Sequence, residues 1–261
     1  MQSLRPLLGR TLVLVAHPDD EAVGCGALLQ RMQDPVVIFA TDGAPWSDYF
    51  WRHYGSRDEY ARVRAEEAQQ ALNVAGVKHF HFLCESDQIV DQELYTNLDR
   101  AYDDLAAIVE AEVPTAILTL AYEGGHPDHD ACGFLASRVA KEFGIDAWEM
   151  PLYHRQGTDI TRQQFLDGDA GLELSIEREE LHRKMKMFAA YNSQAEVLRE
   201  FHPYLERFRP MKRYDFSRPA HSGRLNYEAW QWSMKGPDLC RAFVEFAETP
   251  PARKHEWGTA A

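Results

Sequence analysis

Three short runs of almost continuously apolar residues stand out in the first half of the chain, at residues 11–16, 35–41 and 115–122. Such runs are typical of strands that are buried on both faces of a parallel sheet. Residues 79–84 and 147–153 carry weaker patterns of the same kind. The sequence therefore predicts a strand at each of these five positions.

Segments with helical character lie between these runs. Leu94, Leu98, Leu105 and Ile108 recur at spacings of three or four residues or a multiple of them, which puts them on one face of a helix over residues 93–112. Further helices are predicted over residues 21–33, 57–74, 130–143 and 176–191. Because strands and helices alternate, the predicted fold is α/β: a Rossmann-like, mostly parallel sheet with helices on both faces.

The C-terminal part of the chain lacks this alternation and is rich in aromatic residues: Phe201, Tyr204, Phe208, Tyr214, Phe216, Tyr227, Trp230 and Trp232. These side chains could stack on sugar rings or on an aromatic aglycone, or they could belong to the core or to a subunit interface. The sequence contains no repeat and no Gly/Ser linker. We therefore interpret residues 1–261 as a single domain in which residues 190–261 are a C-terminal elaboration.

Composition narrows the range of partners. Lys and Arg number 28 against 41 Asp and Glu, a net charge of −13 that argues against a nucleic-acid or anionic-membrane surface. No apolar run approaches the roughly 20 residues that span a bilayer. The four cysteines lie far apart and form no C-x-x-C pair. We expect a cytoplasmic protein that acts on a small molecule without membrane or nucleic-acid partners, and we leave a homo-oligomer open.

Histidines and aspartates are concentrated directly after two of the predicted strands. Residues 16–21 read A-H-P-D-D-E and residues 126–130 read H-P-D-H-D. Ligands of open α/β sheets bind outside the carboxyl ends of the strands, where His17, Asp20 and His129 would form a two-histidine, one-carboxylate metal set. Three protein ligands leave a position for water, as in catalytic zinc sites. The donor set also suits iron(II), but the H-x-x-D spacing on a parallel sheet disfavours oxygenase chemistry.

Neighbouring residues could carry the proton transfers. Asp19 is placed to act as general base. His126 could stabilise an oxyanion or protonate a leaving amine, with Asp128 fixing its tautomer and charge. In the competing structural interpretation, Asp19 and Asp20 merely cap a helix and H-P-D-H is a plain loop. The occurrence of both motifs at strand ends of one α/β pattern favours the functional interpretation.

Together the two motifs resemble those of the PIG-L/LmbE-like family of metal-dependent N-deacetylases, which remove acetyl groups from N-acetylglucosamine units of larger molecules. The resemblance implies zinc as the cofactor, Asp19 as the base, His126 as the oxyanion-stabilising or acid residue, and a ligand set of His17, Asp20 and His129. It extends over about residues 10–195. Its further marks are the T-D-G turn at 41–43, an R-x-E-E-A helix at 64–68 and a Lys184 to Ser193-Gln194 segment.

The resemblance also suggests substrate contacts. Arg64 is expected to anchor the substrate near the metal, the alternative being a surface charge paired with Glu67. Asp87 is expected to contact sugar hydroxyls. Tyr122 could substitute for a tyrosine that some relatives carry beside the second motif.

We therefore expect a zinc-dependent hydrolase that removes an N-acetyl group from an N-acetylglucosamine-type conjugate. Two alternatives stay open. One is an amidase that cleaves a larger acyl group, of the thiol-conjugate or antibiotic type. The other is a non-catalytic sugar-binding protein, against which the complete set of ligands, base and acid counts.

Overall fold

The computed structural model describes residues 3–248. Its main sheet has seven strands in the order β3-β2-β1-β4-β5-β9-β8, and a separate hairpin pairs β6 with β7. The strands are β1 (Thr11–Val15), β2 (Val36–Phe39), β3 (His79–Phe82), β4 (Ala116–Leu120), β5 (Asp146–Met150), β6 (Tyr153–Gln156), β7 (Asp159–Arg162), β8 (Leu172–Glu173) and β9 (Arg207–Pro210).

The first five strands of the main sheet run parallel, and β9 and β8 extend it in antiparallel pairing. At its centre, β1 pairs with β2 on one side and β4 on the other, so that Val13 lies between Val37 and Leu118. Every residue of β1 and β4 is buried. Burial on both faces explains why these segments are almost continuously apolar rather than alternating.

Helices cover the sheet in two groups. The helices are α1 (Asp20–Leu29), α2 (Asp48–Trp51), α3 (Arg57–Ala75), α4 (Leu98–Glu112), α5 (Pro127–Phe143), α6 (Arg178–Ala190), α7 (Ala195–Leu198), α8 (Asn226–Ala229) and α9 (Gly236–Glu248). Helix α1 packs with α3 and α6, whereas α4 packs with α5 and α9. Short 3-10 turns occupy Arg5–Leu8, Glu85–Asp87, Leu94–Thr96 and Asn192–Gln194. Among the described residues, no helix has both the length and the hydropathy to cross a bilayer.

The predicted α/β fold, with a mostly parallel sheet and helices on both sides, is confirmed. The strand predicted over residues 147–153 is confirmed as β5, but its predicted end is wrong. Strand β5 ends at Met150, and after Pro151 the chain turns into β6, which pairs with β7 instead of the main sheet. Proline has no N–H for a ladder and ends strands in this way.

The connections reverse direction at the centre of the sheet. From β1 the chain moves outward to β2 and β3, then returns to β4 on the other side of β1 and continues to β5. Such a switch point leaves a crevice at the carboxyl ends of the two central strands, where open α/β sheets bind their ligands. Both His/Asp motifs follow strands that border this crevice, because His17 comes after β1 and His126 after β4.

Candidate active site

A cavity of about 380 Å³ opens at this switch point. Its floor contains the predicted metal ligands and both predicted proton-transfer residues, and all five are buried: His17, Asp19, Asp20, His126 and His129. The fold therefore brings together side chains that lie more than a hundred positions apart in sequence.

The carboxylate of Asp20 lies between two imidazoles. Its Oδ2 is 3.5 Å from Nδ1 of His17, and its Oδ1 is 3.4 Å from Nε2 of His129. His17, His126 and His129 also offer nitrogen atoms that lie within 4.8 Å of one another. Nε2 of His129 is buried and has no hydrogen-bond partner within residues 3–248. Since a buried polar nitrogen without a partner is costly, this donor set fits a metal ion.

A second group of possible metal-binding residues shares His17 and His126 and adds Asp91 and Asp128. Asp128 is fully buried, and its Oδ1 accepts the Leu94 N–H at 3.1 Å. Its Oδ2 accepts the N–H of Gln92 at 2.6 Å and lies 3.2 Å from Nε2 of His17. Asp128 thus fixes the 92–94 loop and the His17 ring.

The expectation that the Asp128 carboxylate holds His126 is not met. The nearest oxygen of the Asp128 carboxylate, Oδ2, is 3.9 Å from Nδ1 of His126. That nitrogen instead accepts the backbone N–H of Asp128 at 3.2 Å, because His126 occupies the N-cap of α5. A ring nitrogen that accepts this bond carries no proton, so the proton of the neutral ring lies on Nε2.

Asp91 faces the other side of the His126 ring. Its Oδ1 lies 3.4 Å from Nε2 of His126 and 3.3 Å from Nε2 of His17. Although burial alone raises the pKa of a carboxyl group, His17 and His126 lower the pKa of Asp91. Burial and the nearby His17 lower the pKa of His126. The site therefore favours a neutral His126 with an Nε2–H that points toward the cavity carboxylates.

Asp19 adopts a backbone conformation that is rare for a residue with a side chain. Its φ is 131°, and its N–H donates to Oε2 of Glu21 at 3.1 Å. The side chain makes no cap hydrogen bond to α1, so the helix-cap interpretation of this residue is not supported. Positive φ values at non-glycine residues cost energy and are concentrated at functional sites.

The Asp19 carboxylate instead pairs with Arg64. Oδ2 lies 3.3 Å from Nη1 and 3.4 Å from Nη2 of the guanidinium, which is buried on α3. Burial raises the pKa of Asp19 and Arg64 opposes that rise, with a net value of about 6. A carboxylate in this range can accept a proton at neutral pH and release it again.

Two hydrogen-bonded pairs connect segments that carry the family resemblance. Glu67, in the R-x-E-E-A helix, accepts the Ser193 N–H at 2.8 Å and its hydroxyl at 2.6 Å. Glu21, which holds the Asp19 N–H, accepts the hydroxyl of Tyr191 at 2.6 Å. Glu67 contacts Ser193 and Arg64 contacts Asp19. The alternative in which Arg64 is a surface charge paired with Glu67 is therefore not supported.

Of the three predicted substrate-contacting residues, the structure places only Arg64 in the cavity. Asp87 lies on the surface in the Glu85–Asp87 turn, where Oδ2 accepts from Arg100 at 3.0 Å. Tyr122 is buried behind the site, and its hydroxyl donates to the carbonyl of Arg218 at 2.9 Å. Neither Asp87 nor Tyr122 lines the cavity, so the expected substrate contacts of these two residues are not supported.

Sequence reasoning missed Asp91, Tyr153 and the aromatic wall of the cavity. Asp91 lies only four positions after Asp87, but a turn separates them and no spacing rule distinguishes the two. The Tyr153 ring contacts His129 with centroids 5.2 Å apart. Phe201, Trp230 and Trp232, among the C-terminal aromatics, also line the cavity. Phe208 and Tyr227 belong to the core, as one of the two interpretations of that segment expected.

Residues 12–140 match the family model described as PIG-L: GlcNAc-PI de-N-acetylase. A probable N-acetyl-α-D-glucosaminyl L-malate deacetylase 2 from Bacillus cereus is 27% identical over 194 residues, which cover 72% of this chain and 85% of the relative. The diacetylchitobiose deacetylase of Thermococcus kodakarensis is 30% identical over 151 residues, 52% of this chain and 51% of that enzyme.

The architecture is also similar to solved structures. A deacetylase of the teicoplanin biosynthesis pathway, in complex with teicoplanin, superposes with a TM-score of 0.59 at 20% identity, covering 79% of this chain and 99% of that one. At this identity the likeness establishes the fold alone. The resemblance to the PIG-L/LmbE-like family that the two motifs predict is confirmed.

Proposed function

Because residues 12–140 are a PIG-L (LmbE-like) family domain, we propose that this chain is a metal-dependent hydrolase that removes an N-acetyl group from an N-acetylglucosamine-type conjugate. The observation that carries the proposal is the cluster of His17, Asp20 and His129, in which the buried Nε2 of His129 has no hydrogen-bond partner among the described residues. The relatives named as deacetylases support the reaction class.

In this proposal His17, Asp20 and His129 hold the metal. Zinc bound by such a set lowers the pKa of water to about 7 and polarises a carbonyl oxygen. Zinc is our assignment, and iron(II) is the alternative for the same donors. The carboxylate of Asp128 fixes the His17 ring through Nε2, so that Nδ1 remains directed at Asp20. Outer partners of this kind orient metal-binding imidazoles.

Asp19 is the proposed general base. It takes the proton of the attacking water, and its pKa of about 6 suits that task near neutral pH. Arg64 holds the carboxylate from behind at 3.3 Å, and Glu21 fixes the backbone N–H. In this arrangement Arg64 acts mainly on Asp19, because most of its surface is covered by protein.

His126 is the proposed oxyanion stabiliser or acid. Because Nδ1 accepts a backbone N–H, the ring presents Nε2–H as a donor to the oxygen on which negative charge develops. The Asp91 carboxylate, whose Oδ1 lies 3.4 Å from the same Nε2, holds this N–H until the substrate oxygen takes its place. The amine then leaves as its nitrogen gains a proton, which completes hydrolysis of the amide.

We further infer that the whole chain works as a single domain. Strand β9 joins the main sheet and three aromatic residues beyond position 200 line the same cavity. The amidase and sugar-binding alternatives keep the same site and differ in what it accepts or converts.

Amine release tests the proposal. Zinc-loaded protein is incubated with free N-acetylglucosamine, diacetylchitobiose, and the inositol and malate conjugates of N-acetylglucosamine, with the Asp19→Ala protein as blank. We expect release above the blank from at least one compound. Release only from substrates with longer acyl groups would favour the amidase, and stoichiometric binding without release would favour the sugar-binding protein.

A further inference from the structure

The cavity wall is a continuous series of aromatic rings that runs from the two imidazoles to the solvent. Trp232 contacts His126 with ring centroids 5.0 Å apart, and Trp230 contacts Trp232 at 5.1 Å. A second series leads from His129 to Tyr153 at 5.2 Å and on to Trp230 at 6.2 Å. Both series meet at Trp230, whose surface is 41% exposed.

Other apolar residues at the cavity mouth are also unusually exposed. Val197 at the C-terminal part of α7 is 50% exposed, and Phe50 on α2 is 39% exposed. These residues come from different segments of the chain and surround one opening. A contiguous exposed apolar rim around a cavity marks a binding surface rather than a chance exposure.

The charges of the cavity exclude a strongly anionic ligand. Asp19, Asp20 and Asp91 line it. Arg64 is the one Lys or Arg side chain among the lining residues that the structure describes, and it is already paired with Asp19. A metal held by His17, Asp20 and His129 would be engaged by the acetyl carbonyl and water, so the described lining offers no further cation to a carboxylate on the rest of the conjugate. A substrate carboxylate would therefore lose its hydration without gaining a partner.

We propose that the conjugate carries an uncharged apolar aglycone, an aromatic ring or an alkyl chain, that lies on Trp230, Trp232 and Phe201 while the sugar enters the metal site. This inference rests on the proposed deacetylase function and names the substrate class for it. It predicts that this chain disfavours a malate-type conjugate, although the relative from Bacillus cereus carries malate in its name.

The test compares kcat/KM for amine release from the phenyl and octyl glycosides of N-acetylglucosamine, both anomers, with that from the malate conjugate and free N-acetylglucosamine. We expect the apolar glycosides to be favoured over the malate conjugate by about tenfold or more, because they gain aromatic contacts and bring no carboxylate that must lose its hydration. Equal or better use of the malate conjugate would overturn the inference.

N-octanoylglucosamine distinguishes the aglycone from the acyl side. A gain with this compound but not with the glycosides would mean that the wall binds the acyl chain, which also overturns the assignment. The absence of amine release from every compound would instead refute the proposed function itself. The two failures are therefore separate results of one experiment.

The Trp230→Ala variant tests whether the Trp230 ring contacts the aglycone. We expect the ratio of kcat/KM for the phenyl glycoside to kcat/KM for free N-acetylglucosamine to fall about tenfold, because only the phenyl glycoside loses an aglycone contact. Tyr204→Ala is the matched control, because Tyr204 is 60% exposed but does not line the cavity. Equal losses on both substrates, or equal effects of the two variants, would contradict the proposed contact.

Discussion

Lys184 is fully buried on α6 and supports the helix that begins at the active site. Helix α1 departs from helical geometry at Cys25, where φ is −146°. Around that break, the Val23 carbonyl accepts from Nζ of Lys184 at 2.9 Å and the Ala27 N–H donates to Glu206 at 2.6 Å. Nζ also donates to Oε1 of Glu206 at 2.6 Å, so one ion pair satisfies both sides of the interrupted helix.

Lys184→Met removes the cation and keeps most of the side-chain volume. It leaves Glu206 buried without its counter-charge, and breaking a buried pair in this way costs about 3–5 kcal/mol. For a chain of this size each kcal/mol shifts Tm by about 2–4 °C. We therefore expect Tm to fall by about 6–20 °C in thermal unfolding followed by circular dichroism. Lys186→Met, an exposed position on the same helix, is the matched control.

The loss of Tm in Lys184→Met should also depend on pH. Burial raises the pKa of Glu206 above its ordinary value, and loss of Lys184 raises it further. A carboxyl group with a raised pKa destabilises the folded state as pH increases through that pKa. The loss of Tm in Lys184→Met should therefore shrink toward acidic pH. The reasoning is refuted if Lys184→Met and Lys186→Met unfold at the same temperature at neutral pH.

Three further predictions follow from the site and its surroundings. Asp19→Asn lowers kcat by about 10²–10⁴ while metal content, measured by atomic absorption, stays at one equivalent; loss of the metal would instead mean that Asp19 is a ligand. Asp91→Asn lowers kcat by about tenfold through His126, whereas Asp87→Asn, at the surface, changes kcat less than about twofold; equal effects would contradict the assignment. Burial raises the pKa of Glu149 from 4.5 to about 7. Ionisation of Glu149 therefore costs the folded state on the order of 3 kcal/mol between these pH values. Between pH 4.5 and 7, the Tm of Glu149→Gln should fall less than the Tm of the unmodified chain.

The strand and helix pattern could be predicted because burial on both faces leaves a local signature. Strands β1, β2 and β4 are covered by helices on both sides and are therefore almost continuously apolar. The position of the site followed from the same logic, since the residues after β1 and β4 must meet at a switch point. Strand β9 left no such signature: it is short, joins the edge of the parallel strands and alternates arginine with apolar residues.

Contacts within the site could not be read from spacing. Nδ1 of His126 accepts the Asp128 N–H in an N-cap bond, and the Asp128 carboxylate contacts His17 instead. Asp87 and Asp91 both follow β3, and the course of the chain after the 3-10 turn decides that Asp91 is the one that lines the cavity. Tyr153 enters the site because Pro151 ends β5 early. Each of these outcomes depends on local backbone direction, which a sequence motif does not encode.

The central claim is that the His17–Asp20–His129 cluster supports metal-dependent removal of an acetyl group. The most direct test adds zinc stepwise to metal-free protein and measures acetate and amine released from a phenyl glycoside of N-acetylglucosamine. The account predicts equimolar acetate and amine that rise with zinc and level off near one equivalent, and His129→Ala protein that stays inactive in the same titration. Release that is independent of added metal, or unchanged in His129→Ala, would contradict it.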